Sequence, residues 1–250
     1  MGLIGRKNEP VAERPVGEKL QGQENHVAKI EFDERKARLT RQAANVEPPR
    51  LSRRERRKRA TREALLNAAQ EVIARKGVYL AVIEDITERA DVAKGSFYQY
   101  FRDRDDLLHE LLTRRLTELR QCVVALPSTE RFADRVRILV HQHLDYLIAH
   151  EDFLLFLHQI RGLIKMRGDT TPHLREAYRD YLIFLQEWLA PAAEKGARDE
   201  KAREEVVCLL LGTLTGFLSH YTIFEPLDSL VSESARLESS FTDVCLDFLQ

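Results

Sequence analysis

The sequence predicts an all-α protein, with a three-helix helix-turn-helix unit near the N-terminus and a larger helical unit behind it. Two observations carry this. After the Pro48-Pro49 pair, apolar residues recur at three- and four-residue spacing, the period of a helix with one buried face. Gly and Pro fall between these periodic segments rather than inside short alternating runs, and no strand series or internal repeat is visible. The expected organisation is an extension without fixed structure over 1–49, a helix-turn-helix unit with a basic arm over 50–103, and a helical unit over 104–250.

The extension mixes charges with scattered Gly, Pro and Gln and has weak periodicity. The first helix is expected from Arg53 to Lys76, with Ser52 and Glu55 as a capping box and Gly77 as its stop. Leu65, Ala68, Ala69, Val72 and Ile73 form its apolar face. A short helix follows over Ile83 to Ala90, then a tight turn at Asp91-Val92, then a second short helix over Ala93 to Tyr100. Asp103 caps a long helix that begins at Arg104 and ends near Pro127. Further helices are expected over Phe132–His150, Asp152–Met166, Pro172–Ala193, Arg203–Phe224 and Ser232–Leu249, with breaks at Gly168-Asp169, Gly196 and Pro226.

Composition narrows the function classes. With 44% hydrophobic and 32% charged residues the chain can build a core, and it contains no apolar run of the roughly 18 residues that a membrane span needs. Met1 to Pro10 carry charges and lack an apolar stretch, so no secretory signal is expected and the cytoplasm is the expected compartment. Cys122, Cys208 and Cys245 are far apart and odd in number, which argues against a disulfide framework or a zinc site; buried free thiols are expected. Gly-x-Ser-x-Gly, a phosphate-binding Gly-rich loop and His-Glu-x-x-His are all absent, so the chain does not read as an enzyme, and no metal or cofactor is expected.

Charge is uneven although the net charge is only −1. Residues 50–109 hold 14 basic and 10 acidic side chains, whereas 110–250 hold 16 and 22. Between Arg50 and Arg62, Arg53, Arg54, Arg56, Arg57, Lys58 and Arg59 face a single acid, Glu55. Such a stripe suits a polyanion, because neutralising phosphates releases counterions. Two short helices joined by a tight turn supply the matching recognition element, since the second can enter the major groove with its first residues at the base edges.

The run from Ile83 to Leu108, and within it Lys94-Gly95-Ser96-Phe97-Tyr98-Gln99-Tyr100-Phe101, resembles the signature of TetR-family transcriptional regulators over about residues 59–108. The resemblance implies a DNA-binding domain followed by a ligand-binding and dimerisation domain. The partners it implies are a double-stranded palindromic operator, a second copy of the chain and a small-molecule effector. Lys94, Gly95, Ser96, Tyr98, Gln99 and Tyr100 would then meet the DNA, with Arg104 on a phosphate at a helix N-terminus and Arg53 and Arg57 reaching phosphates from the arm. Phe97 and Phe101 read as core.

Three departures stand out. Asp91 replaces the usual turn Gly, Thr87 replaces a small Ala, and Ala81 and Val82 replace threonines that cap the helix and touch phosphate. The alternative reading is a helix-turn-helix scaffold or nucleoid-associated protein without a specific operator.

In the second half, the resemblance implies that the last two long helices pack against a second copy; Leu209, Gly212, Thr213, Gly216 and Phe217, with Phe241, Cys245 and Phe248, are the expected dimer face, and the small residues among them permit close approach. Phe156, Tyr181, Phe184 and Trp188 are candidate lining residues of an effector cavity, with His143, His158 and Arg161 as polar anchors. His141 and His143 point apart on a helix and do not form a metal pair.

Overall fold

The computed structural model describes residues 52–125, 131–167, 171–192 and 200–248. The extension over 1–49, Arg50, and the breaks at Gly168-Asp169 and Gly196 lie outside them. The described residues are helical and contain no strand.

α1 spans Arg53–Lys76. Its start is set by the capping box: the Glu55 amide donates to Ser52 Oγ at 3.2 Å, and the Ser52 amide donates to Glu55 Oε2 at 2.8 Å. It ends at Gly77, whose φ of 78° is a conformation that Gly adopts without a Cβ penalty. α2 spans Ile83–Arg89, α3 Lys94–Phe97 and α4 Arg104–Val124. α5 (Phe132–Ala149), α6 (Glu151–Met166) and α7 (Pro172–Leu189) follow, the last running into a 3-10 turn at Ala190–Ala192. α8 spans Glu200–Tyr221, and a 3-10 segment at Leu227–Glu233 leads into α9, Ser234–Asp247.

α1 matches its expected span because both ends carry a specific device. α3 is shorter than expected: after Phe97 the chain tightens, with the Gln99 amide on the Ser96 carbonyl and the Tyr100 amide on the Phe97 carbonyl, both three residues back. α8 starts three residues earlier than its apolar pattern, because its first turns are solvent-facing and polar.

Leu65, Ala69, Val72, Ile86, Phe97, Phe101 and Leu107 bring α1, α2, α3 and the start of α4 around one centre. α5 is buried on almost every side and forms the axis of the second half. α9 packs along it, α7 packs on α4 and α8, and α6 touches α1, so the two halves meet at α1, α4 and α6. No helix among the described residues is long and apolar enough to cross a membrane.

Candidate nucleic-acid interface

The reading head is held from behind by two rings. Phe97 and Phe101 lie four residues apart, are fully buried, and have centroids 5.4 Å from each other. They fix α3 while the side chains between them face outward. Lys94, Gly95, Tyr98 and Gln99 are exposed, and Ser96 and Tyr100 are half-buried. A Cβ added at Gly95 would meet nothing within 4 Å, so the backbone of the first turn of α3 is open to close approach.

The turn before α3 is built as its residues require. Asp91 has φ of 54°, the left-handed conformation that Asp tolerates better than most residues. Thr87 is buried, and its hydroxyl donates to the Ile83 and Glu84 carbonyls at 3.1 Å each, so its polarity is absorbed by its own helix. Val82 stands at the N-cap of α2 with no side-chain cap, and Ala81 is buried. The contact that a threonine there would make is missing.

The basic stripe is exposed from Ser52 to Ala60, but Arg53 and Arg57 lie in the first turns of α1 and not on a separate arm ahead of it. Arg62 does not belong to the stripe. Its guanidinium grips Glu110 through both nitrogens and lies 5.4 Å from the Phe101 ring centroid, which ties α1 to α4. Arg104 is likewise engaged inside the protein: Nη1 donates to the Val78 carbonyl at 3.1 Å and the Ala81 carbonyl at 3.2 Å. Instead of standing as a free cation at the start of α4, it fastens the loop that leads into α2.

An ion pair that sequence reasoning missed joins Lys94 at the start of α3 to Glu84 in the first turn of α2. The lysine's hydrogen bond holds the Glu84 carboxyl below the usual carboxylate range, and Glu84 raises Lys94 in turn. The signal was present, since the two residues flank the turn, but their separation of 10 is not a within-helix spacing.

The expected effector residues do not form one site. His143 is fully buried, and its Nδ1 must donate to the Leu139 carbonyl at 2.6 Å, since a carbonyl only accepts. Its Nε2 therefore accepts from the Tyr181 hydroxyl at 2.7 Å. Burial pushes His143 down to about 4, so the ring is neutral. His158 is exposed, and Arg161 is exposed and donates to Thr215 Oγ1 at 2.8 Å, so neither joins His143.

Tyr181 and Phe184 line a cleft of about 310 Å³ between α4 and α7 with His109, Thr113 and Asp180, and Arg120 lies 4.3 Å over the Phe184 ring. Phe156 faces elsewhere, into a small cavity against α1 with Gln70 and Arg115. Trp188 is half-buried, with the Arg135 guanidinium 5.0 Å from its ring.

On α8 and at α9, Gly216, Phe217 and Phe248 are exposed, and Leu209, Gly212, Thr213 and Phe241 are half-buried. Phe217 and Phe241 meet edge-on at 5.5 Å and join α8 to α9 in one apolar face. Cys245 is not part of that face. It is fully buried within its own chain, and its thiol is pushed up to about 11 by desolvation. Cys122 is also buried, whereas Cys208 is exposed, against the expectation of a buried thiol.

Residues 65–111 match the family model described as bacterial regulatory proteins of the tetR family. An uncharacterised HTH-type transcriptional regulator of Bacillus subtilis, YdgC, is 27% identical over 168 residues, covering 65% of this chain and 79% of that protein. Two solved structures share the fold. The fatty acid degradation regulator FadR from Bacillus halodurans has a TM-score of 0.55 at 24% identity, covering 71% of this chain and 94% of that one. The regulator FadR from B. subtilis, in complex with stearoyl-CoA, has a TM-score of 0.53 at 18% identity, covering 70% and 96%.

Proposed function

We propose, from the premise that the chain belongs to the TetR family of bacterial regulators, that it binds a palindromic operator as a homodimer and releases it when a small molecule occupies the helical half. The observation that carries the DNA-binding reading is the reading head itself. Lys94 and Gly95 stand exposed at the start of the second helix of a helix-turn-helix, and Tyr98 and Gln99 stand exposed just past its end, between the buried Phe97 and Phe101. Gln99 can pair bidentately with adenine, and Tyr98 and, from the first turns of α1, Arg53 and Arg57 supply phosphate contacts.

Two half-sites one turn of DNA apart, about 34–36 Å, require a two-fold protein. The apolar face of Gly216, Phe217, Phe241 and Phe248 is suited to an isologous contact, in which the same patch meets itself.

Communication between the halves runs through α4 and α6. The Val78 amide, just past α1, donates to Gln159 Oε1 on α6 at 2.6 Å, and Asp152 on α6 receives Gln70 from α1 and Arg115 Nη2 from α4, the latter at 3.0 Å. An effector in the cleft between α4 and α7 would press on α4 directly and change the separation of the two reading heads. Such coupling is typically worth about 1–3 kcal/mol. The B. subtilis structure holds stearoyl-CoA, which makes fatty acyl thioesters the first effectors to try.

The test is fluorescence anisotropy on the DNA upstream of the protein's own coding region, against a scrambled duplex at near-physiological salt, with and without an acyl-CoA series. A preference of roughly a thousandfold or more, lost in a Lys94→Ala, Tyr98→Ala double variant and weakened by an effector, is the expected result. Equal, steeply salt-dependent binding to every duplex, including a random-sequence pool, would replace this reading with a nonspecific scaffold.

A further inference from the structure

Glu84 stands where a DNA-binding surface should avoid a carboxylate. It lies in the first turn of α2, its side chain is 57% exposed, and it pairs with Lys94, itself 55% exposed, at the start of the reading helix. Its neighbour Asp85 is engaged elsewhere, by Lys76 Nζ at 2.7 Å. Glu84 is not the N-cap of α2, which is the apolar Val82 without a side-chain bond; its carboxylate lies in the first turn beside its own backbone amide and Lys94. A carboxylate beside the reading helix repels phosphates, and it also neutralises the first base-facing cation of α3.

An ionised carboxylate only accepts hydrogen bonds. On the floor of the major groove the donors are the exocyclic amines of cytosine and adenine, and the acceptors beside them differ. A G·C pair presents two adjacent acceptors on guanine followed by the cytosine amine. An A·T pair presents a single acceptor, then the amine, then an acceptor and the thymine methyl. A cation and an anion held side by side meet both patterns at an acceptor beside an amine, but only guanine gives the cation two adjacent acceptors, so the first pattern is favoured.

We propose that Glu84 is a specificity-determining residue of the DNA interface, so that the Lys94–Glu84 pair reads one G·C base pair in each half-site, with Lys94 on guanine and Glu84 on the cytosine amine. This rests on the DNA-binding reading of α3 and adds a base-reading residue from α2. The pair is made before DNA arrives, so the two side chains enter the groove already oriented. Lys94 is also withheld from phosphates, which lowers binding to unrelated sequence.

The experiment is selection from a randomised duplex library by the full-length protein and by Glu84→Gln and Glu84→Ala, followed by affinities for single base-pair changes. Thermal melts confirm that both variants fold. The wild type is expected to enrich a motif with one G·C position in each half-site, whose replacement weakens binding about 10- to 100-fold. In both variants that penalty should fall below about threefold at that position only, with Glu84→Gln gaining adenine there and both variants binding random DNA more tightly. The inference is overturned if the motif and its penalties are unchanged and the variants simply bind every duplex more tightly, since Glu84 would then be a counter-charge. A wild type that enriches no motif would overturn the operator reading, and the role of the pair with it.

Discussion

In the reading head the polar side chains at the working surface point to solvent, and two buried rings hold the backbone from behind. In the helical half, His143 and Tyr181 are turned inward and bonded to each other, and Arg135 lies on Trp188. The first region works by presenting groups from a rigid support, so its chemistry sits where side chains leave the core. The second keeps these polar groups bonded in its interior, so a molecule that reached His143 would have to replace a bond already made. That difference makes the reading head sensitive to loss of its support, and the helical half sensitive to changes in the charge or partners of its interior.

The largest expected effect tests the support. Phe97→Ala removes a fully buried ring at the centre of the three-helix unit and should destabilise it by about 3–5 kcal/mol, read by urea denaturation. DNA binding should vanish although no DNA-facing group has changed. If DNA binding survives with normal affinity, the rings are not what orients α3.

The next effect tests the interior of the helical half. His143 is depressed from its ordinary 6.5 to about 4, so between these values the unfolded chain takes up a proton that the folded chain refuses. The stabilisation is complete above pH 6.5 and is lost as pH falls towards 4, by roughly 3 kcal/mol in all. His143→Gln should flatten this part of the stability–pH curve relative to wild type. Parallel curves for the two proteins would show that the imidazole is not kept neutral by its surroundings.

Much of the reading head was legible because each of its devices is local. Ser52 and Glu55 mark a helix start, Gly77 a stop, and Asp91 a left-handed turn, and each needs only neighbours along the chain. Phe97 and Phe101 announce a buried stripe by spacing alone. What could not be read depends on which distant helix arrives opposite. His143 and His158 look alike in sequence, yet only His143 meets Tyr181 of α7. Cys245 shares α9 with Phe241 and Phe248 but faces inward, because a helix with apolar residues on two sides does not say which side its own chain covers. The family resemblance and a place at a helix N-terminus give Arg104 a phosphate; the loop carbonyls that it binds lie more than twenty residues earlier.

The boundary between the two regions gives a smaller effect. A Cβ at Gly77 would lie 2.8 Å from Gln159 Oε1, and the φ of 78° is itself unfavourable for any other residue. With ψ of 165° as well, Gly77→Ala should cost about 1–3 kcal/mol from the backbone alone, with the clash added. Gln159→Ala removes the clashing atom and leaves the Val78 amide without its acceptor, at about 1–3 kcal/mol. In a double-mutant cycle the combined loss should be smaller than the two losses added, by about 0.5 kcal/mol or more. Additivity would mean that Gln159 does not bear on the end of α1, leaving Asp152 as the polar link from α6 to α1 and α4.

The smallest effect concerns the turn between α2 and α3. Asp91 is exposed and adopts φ of 54°, a conformation that most L-residues adopt only at a cost of roughly 1–2 kcal/mol and Asp at somewhat less. Glycine removes that penalty but adds about 0.5–1 kcal/mol of chain entropy to the unfolded state. Asp91→Gly should therefore raise stability by only a few tenths of a kcal/mol, up to about 1 kcal/mol, with operator affinity unchanged within about twofold. Because the two terms nearly cancel, the sign is informative. A gain shows that Asp91 is tolerated for its backbone, whereas a loss of about 1 kcal/mol would show that its carboxylate contributes a local bond. A change in affinity without a change in stability would place Asp91 among the side chains that set how α3 is presented to DNA.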